Sequence, residues 1–161
     1  MSVERDLVVV ACAVSAGVHA ALAPEHAAEG LAAAIAFAVS AGALAGLAVV
    51  LTRAAPQTVI AAAALLLAGL IASWVVAVTT GVPLLHPHPE GVEAVAVLTK
   101  AVELVGLVAA VRLVRERPVV IAPRAIPLGL TALIACFSGL AALAVASGHH
   151  AHVHTATALL G

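Results

Sequence analysis

The chain has 161 residues, of which 64% are hydrophobic and only 9% are charged. A soluble domain is about half apolar and a quarter charged, and a small one cannot hide this much apolar surface in a single core. The formal net charge of −1 does not indicate nucleic acid or another polyanion as a partner. The composition therefore excludes an ordinary soluble domain and predicts an integral membrane protein.

Five apolar stretches are long enough to cross a bilayer, which takes roughly 20 residues. In chain order they cover about 7–23, 31–51, 58–80, 92–113 and 126–147. The first is predicted to end before Pro24, and Pro127 suits the first turn of the fifth. We predict an all-α bundle of five transmembrane helices that forms one membrane domain, with a histidine-rich tail at 148–161.

The first stretch could instead be a secretory signal peptide, because 21–23, Ala-Leu-Ala, resembles the small-residue cleavage pattern. The residues before it at 4–6, Glu-Arg-Asp, are not net positive, however, and Pro24 would directly follow the cleaved bond. We therefore expect this stretch to be retained as a spanning helix.

The loop charges predict the orientation, since Lys and Arg collect in cytoplasmic loops. With five spans, one side of the membrane receives Arg5, Arg53, Arg112, Arg115, Arg117 and Arg124. The loops at 23–30 and 81–91 and the tail after Gly148 contain no Lys or Arg. This alternation predicts a cytoplasmic N-terminus, an outer C-terminus and a location in the cell membrane.

All eight histidines fall on the outer side of the predicted topology. They are distributed over the end of the first helix, both outer loops and the tail: His19, His26, His86, His88, His149, His150, His152 and His154. Glu25, Glu29, Glu90 and Glu93 accompany them. Imidazole with carboxylate suits divalent zinc, copper, nickel or cobalt, and the pattern predicts a site for one of these metals.

The tail carries the clearest spacing for chelation. His150 and His154 share one face if the segment is helical, and both share a face with His152 if it is extended. In the second outer loop, the prolines around His88 exclude a regular helix and stiffen the chain. Two other interpretations remain open, namely an incidental histidine-rich tail and a pH-responsive role.

The predicted fourth helix carries charges inside its apolar span. Lys100 and Glu103 are three residues apart and can pair, and Glu93 lies seven residues before Lys100 at nearly the same helical angle. Charged groups at membrane depth usually face the interior of a bundle. This polar stripe of Glu93, Lys100 and Glu103 is either the entry of an ion or proton path or a structural ion pair.

The predicted second helix contains Gly42 and Gly46, a spacing that lets another helix approach closely. The partner could lie in the same subunit, in another membrane subunit or in a second copy of the chain.

The layout, a small multi-pass protein with an outer histidine-rich tail, looks like that of accessory subunits of transition-metal uptake or handling systems, although the likeness identifies no residue. The sequence therefore favours an accessory or transport-related protein that binds a divalent metal outside. The alternatives are a structural or assembly subunit of a larger membrane complex, or a subunit that holds an outer haem. Since the chain shows no recognisable nucleophile with a base and no nucleotide-binding loop, we do not expect an enzyme.

Overall fold

The computed structural model describes residues 2–27, 30–82, 89 and 91–116, and these residues fold as an all-helical unit. Within them, four helices are long and apolar enough to cross a membrane: α1 (Val3–Ala27), α2 (Leu31–Arg53), α3 (Gln57–Thr79) and α4 (Ala94–Glu116). They overlap the first four predicted spans. The predicted fifth helix at 126–147 and the tail at 148–161 lie outside the described residues.

The first helix extends past the boundary expected at Pro24 and ends at Ala27. Proline lacks a backbone N–H and usually kinks or breaks a helix interior, but Pro24 lies in the last turn, where a kink displaces only the three residues that follow it. In the same turn, the Nδ1 of His26 lies 3.0 Å from the carbonyl oxygen of Leu22. The helix also begins early, at Val3, with Glu4 and Asp6 in a first turn that favours acidic side chains.

Helix α1 lies at the centre of the arrangement, with its main contacts to α2 and α4, whereas α3 packs chiefly on α4. The apolar core contains mostly small side chains and a few leucines from all four helices, including Val8, Ala16, Leu44, Leu67 and Ala109. Many large apolar side chains face outward, and Leu65 and Leu98 are 72% and 68% exposed. Such a surface is stable in lipid rather than in water.

Side-chain donors join the helices at the end of the bundle that carries Arg5 and Arg53. The Nε and Nη2 of Arg5 donate to the carbonyl oxygens of Leu51 and Thr52 at 2.7 and 2.8 Å, respectively. The Nε2 of Gln57 likewise lies 3.2 Å from the carbonyl oxygen of Leu113. Both donors satisfy carbonyls that the ends of α2 and α4 leave without intrahelical partners, and the Arg5 cation also complements the helix dipole. We call this the arginine end of the bundle.

Candidate functional site

A polar cluster lies between α1 and α4 in the half of the bundle opposite the arginine end. It consists of Ser15 and His19 from α1 with Lys100 and Glu103 from α4. At 1.5 Å of rise per residue, Lys100 and Glu103 lie about 9 and 14 Å along α4 from its first residue. The cluster is therefore at membrane depth, with His19 as its member nearest the end of α1.

Glu103 is the centre of the cluster and has no exposed surface. Its Oε2 accepts from the Nζ of Lys100 at 2.8 Å, and its Oε1 accepts from the Oγ of Ser15 at 2.6 Å. The Lys100 side chain is 13% exposed. Each carboxylate oxygen thus has a donor, one from its own helix and one from α1, as a buried carboxylate requires.

The imidazole of His19 is tied to the same cluster through Ser15. Its Nδ1 lies 2.9 Å from the carbonyl oxygen of Ser15 and 3.3 Å from the Oγ of that residue. A carbonyl oxygen can only accept, so Nδ1 must carry the proton. In neutral His19 this leaves Nε2 as the nitrogen with a lone pair, the state in which imidazole binds a metal or accepts a proton.

Phe37 of α2 lies against the rings of both His19 and His26. The ring centroid of Phe37 is 5.3 Å from that of His19 and 4.0 Å from that of His26, and the second pair is stacked. His19 is 7% exposed, whereas His26 is partly buried. The structure therefore places the two described histidines against one aromatic ring, His26 in the last turn of α1 and His19 about two turns before it.

On the side that faces the arginine end, the cluster borders a layer of tightly packed small apolar residues. Gly106 of α4 lies against Ala11 of α1, so closely that a Cβ added at Gly106 would overlap the Cβ of Ala11. Cys12, Ala109 and Ala110 are also buried beyond the cluster. Within the four described helices, the cluster thus ends at a packed layer and does not continue as a polar path.

The structure brings together only part of the predicted polar stripe. Lys100 and Glu103 form the predicted pair, whereas Glu93 is exposed, precedes the first residue of α4 and forms no ion pair with Lys100. Ser15 was not predicted as a member of the cluster. The available signal was its i,i+4 spacing to His19, which places both side chains on one face of α1.

The predicted metal ligands are only partly within the described residues. His19 and His26 are described, and the other candidates lie outside: His86, His88, His149, His150, His152 and His154. Among the residues that the structure describes, no group of three His, Cys, Asp or Glu side chains is arranged to hold a metal ion.

Comparison with known proteins finds no relative, because no family model, curated protein or solved structure matches the chain.

The class of protein follows from the fold. Each of the helices α1 to α4 contains an 18-residue stretch with a mean hydropathy of 2.0 to 2.5, and the bundle has outward apolar side chains and a charged pair turned inward. These features define a multi-pass membrane protein.

Proposed function

We propose that this chain is a cell-membrane protein of five spans that binds a divalent transition metal on its outer face, as an accessory or transport-related component. The observation that carries the proposal is the placement of His19 and His26 against the same Phe37 ring, in the last turns of α1 and remote from the arginine end. The histidines of the second loop and the tail follow helices whose ends fall on this same side of the proposed topology.

The geometry of His19 supports a role as a ligand. Metal-binding histidines commonly donate one ring N–H to a carbonyl or carboxylate, which fixes the ring and increases the basicity of the other nitrogen. His19 has this arrangement, because its Nδ1 lies 2.9 Å from the Ser15 carbonyl oxygen. His19 and His26 would contribute to a site completed by His86, His88 and the tail histidines at 149, 150, 152 and 154.

The tight packing between the cluster and the arginine end favours binding of a metal at the outer face over conduction of the metal through α1 to α4. A path through α1 to α4 would have to cross the layer where Gly106 lies against Ala11. Lys100 also occupies the Glu103 carboxylate through their 2.8 Å ion pair, so the cluster offers a divalent cation no free carboxylate. A protein that binds metal outside and delivers it to a separate transporter fits both observations.

The proposed orientation can be tested with topology reporters. Arg5, Arg53, Arg112 and Arg115 all belong to the first or last turns at the arginine end or lie close to them, so we place that end in the cytoplasm. A reporter fused after Gly161 should be active only outside the cytoplasm, and one fused after Arg117 only inside. Activity with the opposite assignment would contradict the orientation, and activity of both fusions on the same side would contradict the fifth span.

Metal binding is tested by calorimetry with zinc and nickel on the tag-free, detergent-purified protein. Replacement of His150, His152 and His154 with alanine should abolish most of the binding, because it removes the proposed chelating spacing. Affinity should also fall steeply below about pH 6.5, since imidazole must lose its proton to bind a metal.

A matched control carries Thr155→Ala with Thr157→Ala, which changes the same tail and keeps every histidine. It should bind as the unmodified chain does. Equal affinity in the triple histidine variant, or no binding tighter than about 0.1 mM, which is about −5.5 kcal/mol, would contradict the proposal. A Soret band in the purified protein would instead indicate the outer haem, with His19 as a candidate axial ligand.

A second candidate is a structural or assembly subunit of a larger membrane complex. It is favoured by α2, where Gly42 and Gly46 are exposed and a Cβ added at either would meet nothing within 4 Å. Two glycines at this spacing permit close approach of another helix, from this chain, another subunit or a second copy. A metal-free protein that co-purifies with other membrane chains would favour this candidate.

A further inference from the structure

A cavity of about 240 Å³ opens at the arginine end of the bundle. It lies between the first turns of α1 and α3 and the last turn of α4, with Arg5, Ile60, Leu113 and Glu116 among its lining residues. Ser2 also lines it, just before α1. The metal-binding proposal uses none of these residues.

The cavity lies at the depth of the lipid headgroups. Helices α2, α3 and α4 each contain 23 residues, which at 1.5 Å per residue corresponds to about 35 Å. The hydrocarbon core of a bilayer is about 30 Å thick, so the helix ends reach the polar layer. Ile60 and Leu113, each three residues inside the end of its helix, give the cavity an apolar wall.

Two opposite charges line the cavity without pairing with one another. The guanidinium of Arg5 is fixed by its bonds to the carbonyls of Leu51 and Thr52, and three of its five N–H groups remain for another acceptor. Glu116 forms no ion pair with Arg5. A fixed cation and a separate carboxylate in one cavity complement a ligand that carries both an anion and a cation.

We propose that this cavity binds the phosphoethanolamine headgroup of a membrane lipid. The phosphate accepts hydrogen bonds from Arg5 and from the hydroxyl of Ser2, and the primary ammonium donates to the carboxylate of Glu116. A choline headgroup has no N–H to donate, and a glycerol headgroup places no cation near Glu116. The site should therefore distinguish phosphatidylethanolamine from both phosphatidylcholine and phosphatidylglycerol.

The test is lipid binding by native mass spectrometry on the full chain in detergent, with these three lipids sharing the same acyl chains. Phosphatidylethanolamine should bind at least about tenfold more tightly than phosphatidylcholine, the difference expected for a charge-assisted hydrogen bond. Glu116→Gln should remove this preference and leave phosphatidylglycerol bound equally well or better. Because Glu116 is exposed at the end of α4, the variant should fold normally, as checked by circular dichroism.

Glu4→Gln is the matched control, since it makes the same charge change at the same end of the bundle but outside the lining of the cavity. It should keep the preference for phosphatidylethanolamine. Equal binding of the ethanolamine and choline lipids by the unmodified chain would overturn the proposal. So would an equal loss in the two variants, because it would indicate a general effect of surface charge.

Discussion

Lys100→Met should lower the free energy of unfolding by about 3–5 kcal/mol, the cost of removing one partner from a buried ion pair. The carboxylate of Glu103 has no exposed surface and would keep only the hydrogen bond from Ser15. Among the described residues, no cation other than Lys100 forms an ion pair with Glu103, so the buried carboxylate would lose its counter-charge. Reversible unfolding by sodium dodecyl sulfate in mixed micelles, followed by circular dichroism, measures the change.

Replacing the acidic partner of the pair should lower the free energy of unfolding less than replacing Lys100 does. Glu103→Gln leaves the Lys100 ammonium without its carboxylate, but that side chain is already 13% exposed and begins about 9 Å along α4. A lysine there can extend its flexible stem toward the headgroup region and hydrate its charge. The glutamine can also still accept from Ser15 through its amide oxygen. We therefore expect Lys100→Met to destabilise the protein more than Glu103→Gln does.

A double variant distinguishes a structural pair from a functional one. Lys100→Met with Glu103→Leu removes both charges at similar volume and should recover most of the lost stability, since well-packed apolar side chains often replace buried ion pairs without loss. The freed Ser15 hydroxyl can then donate to the backbone carbonyl one turn earlier. If metal binding is lost although stability returns, the pair also serves the outer site.

Arg115→Met is the matched control, because it removes an exposed cation from the last turn of the same helix. It should change stability little. If Lys100→Met is no more harmful than Arg115→Met, the buried pair does not stabilise the bundle in the membrane.

The sequence was sufficient to predict the pairing of Lys100 with Glu103, because both residues belong to one helix and their spacing alone brings them together. It could not predict the hydrogen bond from Ser15, which depends on the face that α1 turns toward α4. Small side chains surround α1, so the apolar pattern does not mark one buried face. Glu93 was assigned to the stripe by helical angle, but the helix begins only after it.

The fold shows the same difference between local features, which the sequence predicts, and contacts between helices, which it does not. Hydropathy and length were sufficient to predict the spans that correspond to α1 to α4, since each is a local property of the chain. The contacts of Arg5 with the end of α2 and of Gln57 with the end of α4 join residues far apart in sequence. Such contacts follow from the order in which helices pack, which a single sequence with no periodic apolar face does not determine.

Gly106→Ala should destabilise the protein, by about 1–3 kcal/mol, through overpacking between α1 and α4. The new Cβ would overlap the Cβ of Ala11 and lie 3.2 Å from the Cδ1 of Leu67. Ala11 is buried at the centre of the bundle and cannot move without separating the helices. Unfolding in mixed micelles again measures the effect, and the Ser15 to Glu103 hydrogen bond should weaken with it.

Gly46→Ala is the matched control and should have the opposite sign. The added Cβ meets nothing within 4 Å. The higher helix propensity of alanine is then the only effect, and it should raise the free energy of unfolding by up to about 1 kcal/mol. The double variant Ala11→Gly with Gly106→Ala should restore stability, because the methyl group added at Gly106 occupies the space that the methyl group of Ala11 has left. If Gly106→Ala and Gly46→Ala stabilise the protein equally, α1 and α4 do not meet at Gly106. The short side chain of Ser15 could then not reach Glu103, because the hydrogen bond between them requires the close approach of the two helices that Gly106 permits.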